Sequence, residues 1–315
     1  MNILKKVNIF SECHNYGIPL WECPQFLFTI MGLIIIITVT ASYLVGIRFI
    51  AEPAFVFLID AAIAIVLLII SFTITKTFER VVEASRMKSE FINIASHQLR
   101  APLTNLKWGI EFLGIEKISL SPEKREEYFN NLQENVARMV ELVDDLLIVS
   151  RVERGTLPDI KKRIDLSEML GRLISRFKVF AEASNVDIKS VMEPGVPDVF
   201  MDPSQLKLVV ENLIDNAIRY SKEKGEINIY LKKHNKDFNL LVVQDKGMGI
   251  PEEEQRHIFQ KFFRAKNVSR RKGRGSGLGL YVVKSIVEKS GGKIWFKSKE
   301  GQGTTFFITL PVKQN

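Results

Sequence analysis

The chain has 315 residues, a hydrophobic fraction of 46% and a formal net charge of +8. That length carries more than one domain, each with its own core. The excess of basic residues is compatible with nucleic-acid binding. Its placement argues for other partners: lysines and arginines cluster beside apolar runs (Lys5, Lys6, Lys76, Arg80, Arg86, Lys88) and at Arg270-Arg271-Lys272, next to a glycine-rich stretch.

The first 25 residues read as a cytoplasmic tail. It holds both cysteines, Cys13 and Cys23, with His14 beside the first. They offer three soft ligands to a metal or a redox-sensitive pair, but no fourth ligand is evident in the tail, and two reduced thiols are the plainer alternative.

From Phe26 to Ile47 and from Ala54 to Thr75 the sequence is almost wholly apolar. Each run is long enough to cross a hydrocarbon core of roughly 30 Å as a helix. A signal peptide has a shorter apolar core and a cleavage site, so residues 26–75 read as a transmembrane hairpin. Basic residues flank both outer ends, which puts both in the cytoplasm. The short connection leaves no room for an external ligand-binding module, so a stimulus must reach the hairpin itself. Asp60 lies within the second run, where an acidic group is costly and often functional; snorkelling toward the near interface is the alternative.

The second run continues without proline or glycine up to Pro102, so one helix is expected to reach His97. Ile74, Phe78, Val81, Ile92, Ala95, Leu99 and Leu106 keep heptad-like spacing, while Ser85 and Lys88 interrupt the seam and mark a candidate flexible point. No separate relay module fits before the histidine. A second long helix starts at Ser121-Pro122, with serine as N-cap and proline at the first helical position, and runs to about Val152. Phe129, Leu132, Val136, Met139, Val143, Leu146 and Ser150 form its apolar stripe. Two helices cannot bury that stripe alone. A homodimeric four-helix bundle covers it, and packing on the downstream domain is the alternative.

After Gly155-Thr-Leu-Pro158 helices and strands mix. Capped helix starts stand at Asp165 and Asp202-Pro203, and strand-like runs at Ile227–Lys232, Leu240–Gln244, Lys293–Lys297 and Thr304–Leu310. Their order predicts a helix layer on a mostly antiparallel sheet. On the helix beginning at Pro203, Asn212 and Asn216 are one turn apart, and Arg219 and Tyr220 extend their face. Leu206, Val209, Val210, Leu213 and Ala217 form the opposite, core-facing stripe. Asparagine is a poor helix former, so two on one face suggest a ligand role; a neutral amide oxygen suits Mg²⁺. A pair of solvated asparagines is the alternative. Asp245 ends a strand and opens Asp-Lys-Gly247-Met-Gly249, where a carboxylate can accept from the adenine amino group and glycines allow close approach. Gly273-Arg-Gly275-Ser-Gly277-Leu278-Gly279 precedes an apolar helix. With the basic residues before it, this segment suits a phosphate-binding lid. It is neither a P-loop nor a dinucleotide fingerprint.

These blocks, together with Phe91-Ile-Asn-Ile-Ala-Ser-His97-Gln-Leu-Arg100-Ala-Pro-Leu103, Phe259-Gln-Lys-Phe262-Phe263 and Gly301-Gln-Gly303-Thr304, resemble membrane-bound sensor histidine kinases in order and spacing. The resemblance runs from about Arg86 to Val312. It implies three parts after the tail: the transmembrane hairpin; residues 76–154 as signal helix and dimerising histidine phosphotransfer hairpin; and residues 155–315 as an α/β sandwich ATP-binding domain of Bergerat type. It also implies a prokaryotic multi-pass protein of the cell membrane, in contact with lipid, with its kinase domains in the cytoplasm and no direct nucleic-acid partner.

In that family His97 is the phosphoacceptor, ATP the phosphoryl donor, and an aspartate of a separate response regulator the next acceptor; no receiver-like segment follows Val312 in this sequence. Asn212, Asn216, Arg219, Tyr220, Asp245, Gly247, Gly249, Phe263, Thr304 and the Gly273–Gly279 segment would bind ATP, with Asn216 also the Mg²⁺ ligand. Two departures stand out. Many members carry a carboxylate directly after the histidine, where this chain has Gln98; an amide can orient the ring but cannot act as base, leaving water or Glu90 to take the proton. Ala101 stands where members that dephosphorylate their partner often carry threonine or asparagine, so weak phosphatase activity is expected. A non-phosphorylating gyrase-like ATPase or a membrane scaffold, with His97 structural, is the alternative.

Overall fold

A computed structural model describes residues 24–50, 52–114, 121–222, 224–265 and 275–312. The tail ligands Cys13, His14 and Cys23, and Gly273 with Arg270, Arg271, Lys272 and Arg274, lie outside the described residues. The chain divides into two compact units, Met1–Asn93 and Ile94–Asn315.

The first unit contains helix α1 (Pro24–Phe49) and the beginning of α2 (Pro53–Leu113). Both helices are long and apolar enough to cross a membrane. Their outer faces are large exposed side chains such as Leu33, Ile36, Ile37, Leu44, Phe57 and Ile69. The helices meet along a narrow seam: Val56 is buried, and a Cβ at Gly46 would lie 2.7 Å from its Cγ1, so only glycine admits that approach. Asp60, one turn after Val56, is also buried, and neither carboxylate oxygen has a hydrogen-bond partner among the described residues. It sits in the seam beside Val56. Helix α2 runs without a break through Ser85–Lys88 and through Pro102.

The second unit begins with the end of α2 and the helix α3 (Pro122–Glu153). Ser121 caps α3, its side chain accepting from the Lys124 amide at 3.4 Å, with Pro122 at the first position. Strand β1 (Lys162–Ile164), α4 (Leu166–Ala183), β2 (Val186–Met192), β3 (Val199–Met201), α5 (Pro203–Tyr220), β4 (Gly225–Lys233) and β5 (Phe238–Asp245) follow. A short 3-10 helix (Glu252–His257), α6 (Gly279–Lys289), β6 (Lys293–Lys299) and β7 (Gly303–Pro311) complete the unit.

The main sheet has the order β2-β4-β5-β7-β6, with β2 parallel to β4 and every other pair antiparallel; β1 and β3 form a separate antiparallel pair. Along β4, Ile227, Ile229 and Leu231 are buried in alternation, as a sheet covered on one face requires. Helices α4, α5 and α6 supply the cover: α4 lies against β2 and α5, α5 against α6 and β5, and α6 against β6. The stripe of α5 (Leu206, Val209, Val210, Leu213, Ala217) is buried as its spacing predicts.

Candidate nucleotide site and phosphoacceptor helix

Helix α5 is started by Asp202. Its Oδ1 accepts the amides of Ser204 (2.8 Å) and Gln205 (3.2 Å), and its Oδ2 accepts the amide of Ile160 at 2.8 Å. Burial pushes this carboxyl up, but the hydrogen bonds from Ser204, Ile160 and Gln205 outweigh it and hold the pKa below the ordinary value. The cap fixes where the polar face of α5 points. Asn212, Asn216, Arg219 and Tyr220 all line one cavity, together with Asp215, Phe263, Gly275, Gly277 and Gly279.

Glycine is required where the 275–279 segment crosses that face. A Cβ at Gly279 would collide with Oδ1 of Asn212, and Gly275 has φ +112° with a Cβ position 2.9 Å from Nη1 of Arg219. Asn212 donates through Nδ2 to the Leu208 carbonyl at 2.9 Å, which turns its oxygen toward Gly279. Asn216 lines both this cavity and its apolar neighbour. Its neutral amide oxygen beside a cavity suited to phosphate fits a Mg²⁺ ligand chemically.

The neighbouring cavity is largely apolar. Leu213, Ala217, Ile250, Ile258, Ala265 and Phe306 line it, with Asp245 and Thr304 at the polar end. The β5–β7 register sets Asp245 opposite Thr304. Oδ1 of Asp245 accepts the Gly247 amide at 2.8 Å and the Thr304 amide at 3.2 Å. Both bonds fall on Oδ1. Burial pushes the Asp245 pKa up, and the amides of Gly247 and Thr304 oppose it. The loop after Asp245 is tied to the end of α5, because the Met248 amide donates to the Tyr220 carbonyl at 3.1 Å. Gly249 has φ +64°, and a Cβ there would strike the Lys299 carbonyl.

Helix α3 contributes groups that pattern reading along the chain misses. Glu141 and Asp145 line the polar cavity. Nη2 of Arg219 donates to Oε1 of Glu141 at 3.2 Å and to Oδ2 of Asp215 at 2.8 Å. Burial lowers the Arg219 pKa, yet Asp215 and Glu141 together raise it. The Ser276 hydroxyl donates to the Asp145 carboxylate. Burial pushes Asp145 up, only partly offset by that bond. Glu141 and Asp145 lie on a side of α3 that the apolar stripe does not use, so no periodicity marks them; Asp215 and Ile258 are likewise unmarked.

His97 is exposed on α2, as is Arg100. The amide nitrogen of Gln98 donates to the Ser276 carbonyl at 3.4 Å, which ties it to the 275–279 segment. Ala101 and Pro102 line a third cavity beside it.

Comparison with known proteins places this geometry. Residues 87–155 match the His Kinase A (phospho-acceptor) domain, and residues 201–314 match the Histidine kinase-, DNA gyrase B-, and HSP90-like ATPase. The alginate biosynthesis sensor protein KinB of Pseudomonas aeruginosa is 34% identical over 252 residues, covering 80% of this chain and 40% of KinB. The chain belongs to the sensor histidine kinase family. It spans less than half the length of KinB. Among solved structures, the Acinetobacter baumannii histidine kinase AdeS superposes with a TM-score of 0.57 at 24% identity, over 69% of this chain and 98% of that one. Histidine kinase ThkA, solved in complex with the response regulator protein TrrA, gives a TM-score of 0.56 at 24% identity, over 75% and 64%. These two share the fold.

Proposed function

We propose that the chain is a membrane-anchored histidine autokinase that phosphorylates His97 from ATP and passes the phosphoryl group to an aspartate of a separate response regulator, as its family and the ThkA–TrrA complex suggest. The observation that carries this reading is the junction within one compact unit. The cavity carrying Asn216 and Arg219 is lined also by Ser276, whose carbonyl accepts from Gln98, the neighbour of His97. Asp245, through Oδ2, reads the adenine amino group, and Tyr220 and Phe263 wall the base. Arg219 and the free amides at the start of α6 receive phosphates. Asn216 would hold Mg²⁺, which when bound neutralises charge on the triphosphate.

In the reaction an imidazole nitrogen of His97 forms a bond to the γ-phosphorus as the bond to the bridging oxygen of ADP breaks. That oxygen keeps the electron pair, and the ring proton passes to water or Glu90. Gln98 orients without serving as base, and Ala101 has no group to position a hydrolytic water, which supports weak phosphatase activity.

The domain reading that follows is a tail (1–25), a transmembrane hairpin (26–75), a signal helix with phosphotransfer hairpin (76–154) and a catalytic domain (155–315). A homodimer is favoured because Phe129, Val136, Val140 and Val143 on α3, and Leu103 and Ile110 on α2, stay exposed in the single chain; a second copy covers them in a four-helix bundle. The apolar exteriors of α1 and α2 favour insertion in a cell membrane. Incubation with ATP labelled at the γ-phosphate tests the reading. An acid-labile, base-stable label is expected on the wild-type chain and none on His97→Gln; a label surviving that substitution refutes His97 as acceptor.

A further inference from the structure

Beyond the residues assigned above, the third cavity of the second unit is lined by Gln98, Ala101 and Pro102 on one side, by Arg138 on α3, and by Arg264 on the nucleotide domain. It shares Glu141, Gly275 and Ser276 with the polar nucleotide cavity. It therefore adjoins the place where the triphosphate would end and the turn of α2 that directly follows His97.

Its two cations are incompletely satisfied. Nε of Arg138, and Nε and Nη2 of Arg264, are buried without a hydrogen-bond acceptor among the described residues. A buried N–H of a permanently charged guanidinium without an acceptor is costly, and most such groups in folded proteins are paired. The neighbouring carboxylates are engaged elsewhere: Glu141 with Arg219, and Asp145 with Ser276. Guanidinium groups match the oxygens of a phosphoryl group in geometry as well as charge.

We propose that Arg138, with Arg264, forms an oxyanion site that holds the phosphoryl group during its transfer between ATP and His97. Arg138 is supplied by the phosphoacceptor hairpin, so the charge that develops at transfer is met only when hairpin and nucleotide domain are apposed. As the ADP oxygen departs with its electron pair and the imidazole nitrogen bonds to phosphorus, the two guanidinium groups donate to the non-bridging oxygens. Ala101 leaves the wall beside His97 open for that group. The proposal rests on the kinase reading above.

The test uses the full chain in lipid nanodiscs and measures binding of ADP with Mg²⁺, alone and with aluminium fluoride as a mimic of the phosphoryl group in flight. The wild-type chain should bind ADP more tightly when aluminium fluoride is present. Arg138→Gln should keep its affinity for ADP alone, which reports an intact nucleotide domain, and lose about tenfold of the enhancement, the size of one charge-assisted hydrogen bond. Arg138→Lys, which keeps the charge but not the planar fork, should lose part of it. An Arg138→Gln chain with the full enhancement overturns the site while leaving the kinase reading standing. A wild-type chain with no enhancement overturns the kinase reading, and the site with it.

Discussion

Replacing Asp145 by Asn should tighten nucleotide binding. The triphosphate that approaches Arg219 and the 275–279 segment meets two carboxylates from α3, Glu141 and Asp145, lining the same cavity. Asn keeps a side-chain oxygen for the Ser276 hydroxyl, so that hydrogen bond survives while the charge is removed. Two unit charges ~8 Å apart interact by about 2 kcal/mol at an effective dielectric of ~20, and solvent at the open side of the cavity reduces this. A gain of about 1 kcal/mol, roughly fivefold in affinity, is expected.

Calorimetric titration of ADP and a non-hydrolysable ATP analogue at two pH values measures it. Burial raises the Asp145 pKa, so its carboxyl takes up a proton at higher pH than an ordinary aspartate as the solution is acidified. Wild-type affinity should therefore converge on that of Asp145→Asn at low pH, the two differing most where Asp145 is ionised. Unchanged or weaker binding by a variant that melts like wild type would refute the electrostatic argument.

Asp245→Ala strips the acceptor from two buried amides, those of Gly247 and Thr304, and should cost about 2–4 kcal/mol of stability as well as ATP binding; thermal melting and nucleotide titration separate the two losses. Asp202→Ala removes the α5 cap and the acceptor for Ile160, and should destabilise by about 2–3 kcal/mol near neutral pH. Because the folded pKa of Asp202 is depressed, its contribution is present above the ordinary aspartate value of about 4 and lost as pH falls through the lower folded value, so denaturant melts of wild type and variant should converge in acid. Gln98→Glu loses the donor to the Ser276 carbonyl and gains a base beside His97; the autophosphorylation rate should rise and its pH profile acquire an acidic limb, and an unchanged profile would remove the support for a missing base.

Much of the architecture was readable because the chain states its boundaries locally. Asp165 and Asp202 cap their helices as their spacing to Glu168 and Gln205 indicates. The alternation of Ile227, Ile229 and Leu231 marks a strand without help from its neighbours. The strands β1 and β3 carry three residues each, too few to show a period, and β2 loses its alternation after Ile188 because its later residues face solvent. The site divides in the same way. Residues on one face of α5 are related by helical spacing and could be grouped from sequence. Arg138, Glu141 and Asp145 share one face of α3, yet nothing in their local pattern separates them from solvated charges, and Arg264 joins them only by tertiary packing. The contact of Gln98 with Ser276 is of the same kind, since it joins residues 178 positions apart.

The pairing of β5 with β7 carries a further implication. Asp245 and Thr304 stand opposite each other, and the hairpin that delivers Thr304 turns between Lys299 and Gly303. One residue added to that turn would present the other side of the strand at this point and withdraw the amide that steadies Asp245. If Asp245 reads the adenine as proposed, selectivity for the purine is encoded partly as a length. An insertion among residues 300–302, none of which lines either nucleotide cavity, could abolish it while every ligand-facing side chain remained unchanged.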